Sequence, residues 1–223
     1  DSSGEPVPSQ SSNRFCPYGN IQNSLPISKF DPKRLEDAMI SETITEQDLK
    51  SAIPDLTGTM RLKGLEGTVT VFRDTYGIPR IKSESELDAF FAQGFATAQD
   101  RLWHMEYDRL RGSGRWAEAV GQQAVSQDIM MRRFRLKSSA KADYRAMDSH
   151  TKSMFDSYTA GVNAFIESGD ALPVEYRITG LTPEPWEPWD GLIAYKVRHI
   201  SMGVFESKVW RARMVRDLSL IHI

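Results

Sequence analysis

The sequence predicts an α+β chain that is mostly helical, with one short antiparallel pair of strands. Three observations carry this expectation. Thr68-Val69-Thr70-Val71-Phe72-Arg73 alternates β-branched and polar residues, turns at Tyr76-Gly77 and resumes at Ile78 to Ile81, which reads as strand, tight turn and second strand. Downstream, apolar residues recur at steps of three and four, broken by glycine and proline. The stretch before residue 68 shows neither period for long. The chain therefore divides into an N-terminal arm, 1–67, with short helical turns, and one domain, 68–223.

In the arm, Asp1 to Ser24 is rich in Ser, Pro, Asn and Gly and reads as surface coil. Leu25 to Phe30 is ambiguous. Asp31 caps and Pro32 opens a helical turn over Lys33 to Ile40. Thr45 to Ala52 is a second turn, with Asp48 three residues after the capping Thr45. Leu49, Ile53 and Leu56 are its expected core contacts. Pro54 ends it, and Gly58 and Gly64 punctuate the loop that follows. Such an arm wraps a surface rather than folding alone.

In the strand pair, Gly77 is the residue best able to take positive φ, and Pro79 belongs on an edge or at a bulge. A long helix follows, capped by Ser83 or Ser85 and carrying Glu86 in its first turn. Its apolar side is Leu87, Phe90, Phe91, Phe95, Ala98, Leu102 and Met105. Gly94 lies among Ala92, Ala96 and Ala98. It costs about 1 kcal/mol of helix propensity against alanine, so it is expected to permit close packing. Gln99, Asp100, Arg101 and Glu106 form the expected polar face. Gly112 and Gly114 break the helix, and Trp116, Ala117 and Val120 make a short apolar turn closed by Gly121.

Ala124 to Lys137 carries Met130, Met131, Phe134 and Leu136 beside Arg132, Arg133 and Arg135. The arginines read as a solvated helix face with packed stems rather than as an anion site. Asp148-Ser149 caps a helix whose stripe is Met154, Phe155, Tyr158, Val162, Phe165 and Ile166, stopped by Gly169. Leu172 to Tyr176 is a short extended piece. Thr182-Pro183-Glu184-Pro185-Trp186-Glu187-Pro188-Trp189-Asp190 is a turn that opens the last helix, from about Trp189 to Leu220. That helix is apolar on more than one side, through Leu192, Ile193, Val197, Ile200 and Val204, then Val209, Trp210, Met214 and Leu218. It needs burial against something larger, and Gly203 permits a kink.

The 223 residues carry a formal net charge of −2, with 28 basic and 30 acidic residues, so no nucleic-acid footprint is present. No run of 18 apolar residues exists, so no membrane span is expected. The single cysteine, Cys16, excludes an intrachain disulfide. A start at Asp1 fits removal of a leader. His104, His150, His199 and His222 are too scattered for a metal cluster, and no zinc-protease, nucleophile-elbow, phosphate-loop or dinucleotide signature occurs. His104 lies four residues from Asp100 and from Asp108, a helix-surface pairing network.

Val71-x-Arg73-Asp74-x-Tyr76-Gly77-Ile78-Pro79-x-Ile81, then Gly94-Phe95-x-x-Ala98-Gln99-Asp100-Arg101-Leu102-Trp103-x-Met105-Glu106, then Gly114-Arg115-x-Ala117-Glu118-x-x-Gly121, resemble the α chain of the penicillin acylase family. Gly161-Val162-Asn163 and the Pro183-x-x-Trp186-x-Pro188-x-Asp190 phrase are similar too. These are two-chain amidohydrolases of the N-terminal-nucleophile class. The resemblance implies a four-layer αββα sandwich completed by a larger partner β chain cut from the same precursor. It implies that the serine at the β-chain amino terminus attacks an N-acyl amide through an acyl-enzyme. Such a nucleophile must be terminal, so Asp1 excludes it from this chain, and no catalytic residue is expected here.

The resemblance gives this chain two tasks. One is to wall the acyl pocket with His199, Met202 and Phe205, with Arg198 beside them. Counting from Trp186 points to His199, Met202 and Gly203, whereas counting back from Arg211-Ala212-Arg213-Met214 differs by several residues, so the register stays open. Arg198 and His199 suit a dicarboxylic acyl group. A fatty-acyl chain, as in acyl-homoserine-lactone acylases, is the alternative, and a non-enzymatic helical scaffold is the other. The second task is one calcium ligand, Glu206, the rest coming from the β chain; a salt bridge to Arg213 competes for that carboxylate. The family's usual location implies a periplasmic or secreted protein.

Overall fold

The computed structural model describes residues 44–169, 172–203 and 205–218, all within one unit, Pro32–Ile223. The expected coil of 1–24, the turn over Lys33 to Ile40, Cys16 and His222 lie outside the described residues.

Helix α1, Glu46–Ser51, forms with a full capping box: Thr45 N donates to Asp48 Oδ2 at 2.8 Å and Asp48 N donates to Thr45 Oγ1 at 3.2 Å. Leu49, Ile53 and Leu56 are exposed, against expectation. A helix of 6 residues has too few turns to present an apolar face to a core. What holds α1 is polar, an ion pair from Arg177 to Asp48.

Strands β1, Thr70–Arg73, and β2, Pro79–Lys82, pair antiparallel with Thr70 opposite Lys82 and Arg73 opposite Pro79. The turn is set by Asp74, whose Oδ1 accepts from the Tyr76 and Ile78 amides at 3.0 Å each, while Gly77 takes φ 76°. Pro79 sits in a two-stranded sheet, where every strand is an edge.

Helix α2, Glu86–Ser113, is capped by Ser85 and ends at Gly114 with φ 66°. Helix α6, Ser149–Glu167, is capped by Asp148 and crosses α2 with backbones in contact. A Cβ on Gly94 would lie 1.9 Å from Tyr158 O, and one on Gly161 would lie 1.9 Å from Phe91 O. Gly94 thus does what its place among small residues predicts. The core beside the crossing holds Ala98, Leu102, Val162, Phe165, Tyr176 and Trp186. At Arg101 the backbone leaves helical values (φ −146°, ψ 23°), an unforeseen kink within α2.

Helix α3, Ala117–Val120, leads through a 3₁₀ turn, Gln122–Ala124, into α4, Val125–Phe134, and α5, Leu136–Ala146. Ala124 to Lys137 is therefore two helices. Arg135 is left-handed (φ 56°) at their junction, which lets Met131 and Leu136 reach one cluster with Val197. Arg132 is more than a solvated stem, because its Nε donates to Gly114 O at 2.8 Å.

Helix α7, Val174–Thr179, replaces the expected extended piece. Pro173 sits at its cap, and the turn drives the Tyr176 ring into the core, edge-on to Trp103 at 5.1 Å. The expected last helix is also two, α8, Asp190–Met202, and α9, Phe205–Leu218. Gly203 between them is extended (φ −87°, ψ 175°), and a Cβ there would lie 2.5 Å from His199 O. The described residues thus form a mostly helical body with a two-stranded open sheet. A four-layer sandwich needs strands from elsewhere.

Candidate functional site

Helix α8 carries Arg198, His199 and Met202 of the expected pocket residues, and its first turn is held by buried charge. Arg109 of α2 donates through Nη2 to Glu106 Oε2 at 2.6 Å and through Nη1 to Asp190 Oδ2 at 3.2 Å. It also donates to the carbonyls of Pro185 (3.0 Å) and Glu184 (3.3 Å), and stacks over the Trp186 ring at 5.1 Å. Glu106, Arg109 and Asp190 are all buried. Glu106 was expected on the polar face of the helix; Arg109 three residues on makes its burial tolerable. Burial pushes the Glu106 carboxyl up, and the facing Arg109 pulls against that shift. Asp190 Oδ2 also accepts from the Glu187 amide at 3.1 Å. Asn163 closes the turn from α6: its Oδ1 accepts from Trp186 N at 2.7 Å and its Nδ2 donates to Trp186 O at 3.0 Å. The proline-tryptophan phrase and Gly161-Val162-Asn163 are therefore two halves of one contact.

The inner side of α8 is Ile193 and Val197, fully buried. Ile193 packs onto Gly112 of α2, where an added Cβ would lie 2.5 Å from its Cγ2. Lys196 ties α8 to α5 through Ser139 Oγ at 3.0 Å and Asp143 at 2.5 Å.

The residues expected in the pocket wall fall as follows. Arg198 donates through Nε to Asp108 Oδ2 and meets His104 Nε2 through Nη2. His199 is exposed and stacks on Tyr195, with centroids 5.6 Å apart and planes at 26°. Met202 is 80% exposed. Phe205 starts α9, and its side chain lies outside the described residues. One helical sector carrying positions i, i+3 and i+6 required a helix unbroken through Phe205; the break at Gly203 ends it at Met202. Glu206 is exposed in the first turn of α9.

The expected network of Asp100, His104 and Asp108 does not form as one. Asp100 turns to Arg73 of β1 at 2.8 Å, and the partner of both His104 and Asp108 is Arg198. The kink at Arg101 lies between Asp100 and His104 and breaks the four-residue spacing. Among the described residues, no group of three or more His, Cys, Asp or Glu is placed to hold a metal ion.

Two features had little signal in the sequence. Arg109 and Asp190 are far apart along the chain, and only the family blocks bracket them. A cleft of about 710 Å³ lies between the strand pair and α2, lined among others by Tyr76, Ile78, Phe90, Thr97 and Arg101. Beside it Arg73 ties the strands to α2, through Asp100 and through Gln99 at 3.0 Å.

The profile of the family described as penicillin amidase matches residues 68–220. The chain belongs to the penicillin amidase family. It is 43% identical over 163 residues to the penicillin acylase 2 proenzyme of Pseudomonas sp. (strain SE83), covering 73% of this chain and 21% of that protein. It is 37% identical over 158 residues to the acyl-homoserine lactone acylase QuiP of Pseudomonas syringae pv. syringae (strain B728a), covering 70% of this chain and 19% of that protein. Among solved structures, the thermostable penicillin G acylase from Alcaligenes faecalis superposes with a TM-score of 0.56 at 25% identity, covering 70% of this chain and 86% of that one. The chain spans about a fifth of the length of these curated relatives. As a member of the penicillin amidase family, it holds the helical body and the strand pair. No helix among the described residues is long and apolar enough to cross a membrane.

Proposed function

We propose that this chain is the α subunit of an N-acyl amide hydrolase. One observation carries the reading: the matched region is 86% of a separate chain in the solved acylase but only 21% of a proenzyme. A region of this kind can therefore stand as its own polypeptide. In this reading the larger β chain presents a serine at its amino terminus. Its α-amine takes the hydroxyl proton, the hydroxyl attacks the amide carbonyl, the amine leaves, and water hydrolyses the acyl-enzyme. The donors to the oxyanion come from the β chain, each worth about 10²–10³ in rate.

The present chain supplies shape. His199, Met202 and Phe205 wall the acyl pocket, with Arg198 beside them. A dicarboxylic acyl group is the first reading. A fatty-acyl chain is the second, supported by the exposed apolar Tyr195 and Met202 beside His199. Glu206 gives one oxygen to a structural calcium whose other ligands belong to the β chain, since calcium takes six to eight. The division into an arm, 1–67, and an acylase-like part, 68–223, and a periplasmic or secreted location belong to the same proposal.

The test is to express the whole precursor, purify whatever accompanies this chain, and sequence its amino terminus. A serine-initiated larger chain, and turnover of phenylacetyl, glutaryl or octanoyl anilides by the complex alone, are the expected results. Turnover by the 223-residue chain without a partner would overturn the reading. For calcium, metal analysis of the unwashed active complex should find the ion, and its absence removes Glu206 from that role.

A further inference from the structure

Two ion pairs hold α8 on α2, and their polarity is opposite. Adjacent residues of α2, Asp108 and Arg109, each reach a different end of α8. Arg109 takes Asp190 in its first turn, and Asp108 takes Arg198 in its last turns. Between them, Gly112 of α2 rests against Ile193 and Val197; a Cβ there would lie 3.3 Å from Val197 Cβ. This apolar contact is flanked by an acid-to-base pair and a base-to-acid pair. A reversal of α8 would set Asp108 towards Asp190 and Arg109 towards Arg198, like charge on like, and a slide would break both pairs. A buried ion pair contributes little net stability against an apolar replacement, whereas removing one partner is costly.

Asp108 decides what Arg198 is for. Its side chain is 5% exposed, whereas that of Arg198 is 47% exposed. A carboxylate so buried is costly without its cation, so the guanidinium is committed inward through Nε, and its Nη2 meets His104. We infer that Arg198 is a positioning residue: with Asp108 it forms the outer of two opposed clasps that set the register of α8, and it does not receive an acyl carboxylate. The inference rests on the acyl-pocket reading of α8 and refines it. The wall offered to substrate is then His199, Met202 and Phe205, and selectivity for an anionic acyl group does not come from Arg198.

The test uses the complete matured precursor, with Arg198→Met, Asp108→Asn, both together, and Arg198→Lys. The readouts are kcat and KM for glutaryl and octanoyl anilides. A positioning role predicts that Arg198→Met and Asp108→Asn lower kcat/KM by the same factor, on the order of 10- to 100-fold as misplacement of a wall does. The loss should be equal for both acyl groups, no larger in the double variant, and partly rescued by Arg198→Lys. A loss confined to glutaryl substrates in Arg198→Met, with Asp108→Asn unaffected, overturns the inference. If the single variants fail to mature, the double variant decides by its glutaryl-to-octanoyl ratio. An unchanged ratio supports the clasp, and a tenfold fall overturns it. A wild-type complex inactive on every amide would instead sink the acylase reading. The clasp would then be decided by urea denaturation of the same variants, where additive losses from Asp108→Asn and Arg198→Met would overturn it.

Discussion

Replacing Gly94 by alanine puts the close crossing of α2 and α6 under direct stress. The new Cβ would stand 1.9 Å from Tyr158 O, where atoms at contact sit roughly 3.5 Å apart. The obstacle is backbone, so no rotamer change relieves it, and α6 must retreat by more than about 1 Å. That retreat loosens packing of Phe95 on Phe165, whose rings meet edge-on at 5.6 Å, and of Val162 on the α2 surface. Overpacking costs about 1–3 kcal/mol, with a rigid obstacle at the upper end. Helix propensity returns about 1 kcal/mol for glycine to alanine. The net is a loss of about 2 kcal/mol, or about 4–8 °C of melting temperature for a domain of this size. Gly191→Ala in the first turn of α8 is the control, because nothing lies within 4 Å of its Cβ. It should be neutral to about 1 kcal/mol stabilising. Urea denaturation of the purified protein reads both. Gly161→Ala should match Gly94→Ala, and the pair together should lose less than the sum, since one separation relieves both clashes. The reasoning fails if Gly94→Ala and Gly191→Ala come within about 0.5 kcal/mol of each other.

Other consequences follow from single side chains. Asp128 accepts from the amides of Trp116 (2.9 Å) and Ala117 (2.8 Å). Asp128→Ala should cost about 1–3 kcal/mol per donor left unpaired and expose both amides to hydrogen exchange; persistent protection would refute this. Tyr144 donates to Asp156 at 2.5 Å, which pushes its hydroxyl up to about 12. That contribution is complete below the ordinary tyrosine value near 10 and is lost as pH rises through about 12, so Asp156→Asn should return the phenol's absorbance titration towards 10. Asp48 is held down at about 2, chiefly by the hydroxyl and amide of Thr45 and then by Arg177. Its contribution is present above 3.8 and disappears as pH falls through about 2, and Thr45→Val should move the carboxyl NMR titration back up.

The parts visible in the sequence were those fixed by neighbours in the chain. The caps at Thr45, Ser85 and Asp148, the positive φ at Gly77, and the glycine stop at Gly114 each depend on a few adjacent atoms. Gly94 was legible because small residues around it left close approach as its main use. Glu106 was not, because its burial depends on Arg109 meeting Asp190, 81 residues further on. Leu49, Ile53 and Leu56 looked like core by composition, but α1 is short and ends at Ser51, before Ile53 and Leu56. Arg135 was hidden for another reason: a left-handed arginine has no sequence signature, and only the shared cluster of Met131, Leu136 and Val197 explains it. The helix proposed to carry the pocket residues was half legible. The Pro183 to Asp190 phrase located α8, while the break at Gly203 separated Phe205 from His199 and Met202.

The distribution of exposed apolar groups bears on which proposal fits a chain of this family. The crossing of α2 and α6 is closed on itself, with Phe91, Leu102, Val162 and Phe165 fully buried. The exposed large apolar residues include Phe72, Tyr76 and Ile78 on the strand pair, and Tyr195, Met202 and Trp210 on α8 and α9. A self-sufficient scaffold would gain by covering these, since burial of one such side chain is worth roughly 1.5–3 kcal/mol. A subunit has the opposite need: open sheet edges and bare aromatic groups on a helix pair are features that a partner chain can cover. In the proposed subunit reading, the closed crossing of α2 and α6 is the support, and the strand pair and the α8 and α9 faces are where a partner would lie.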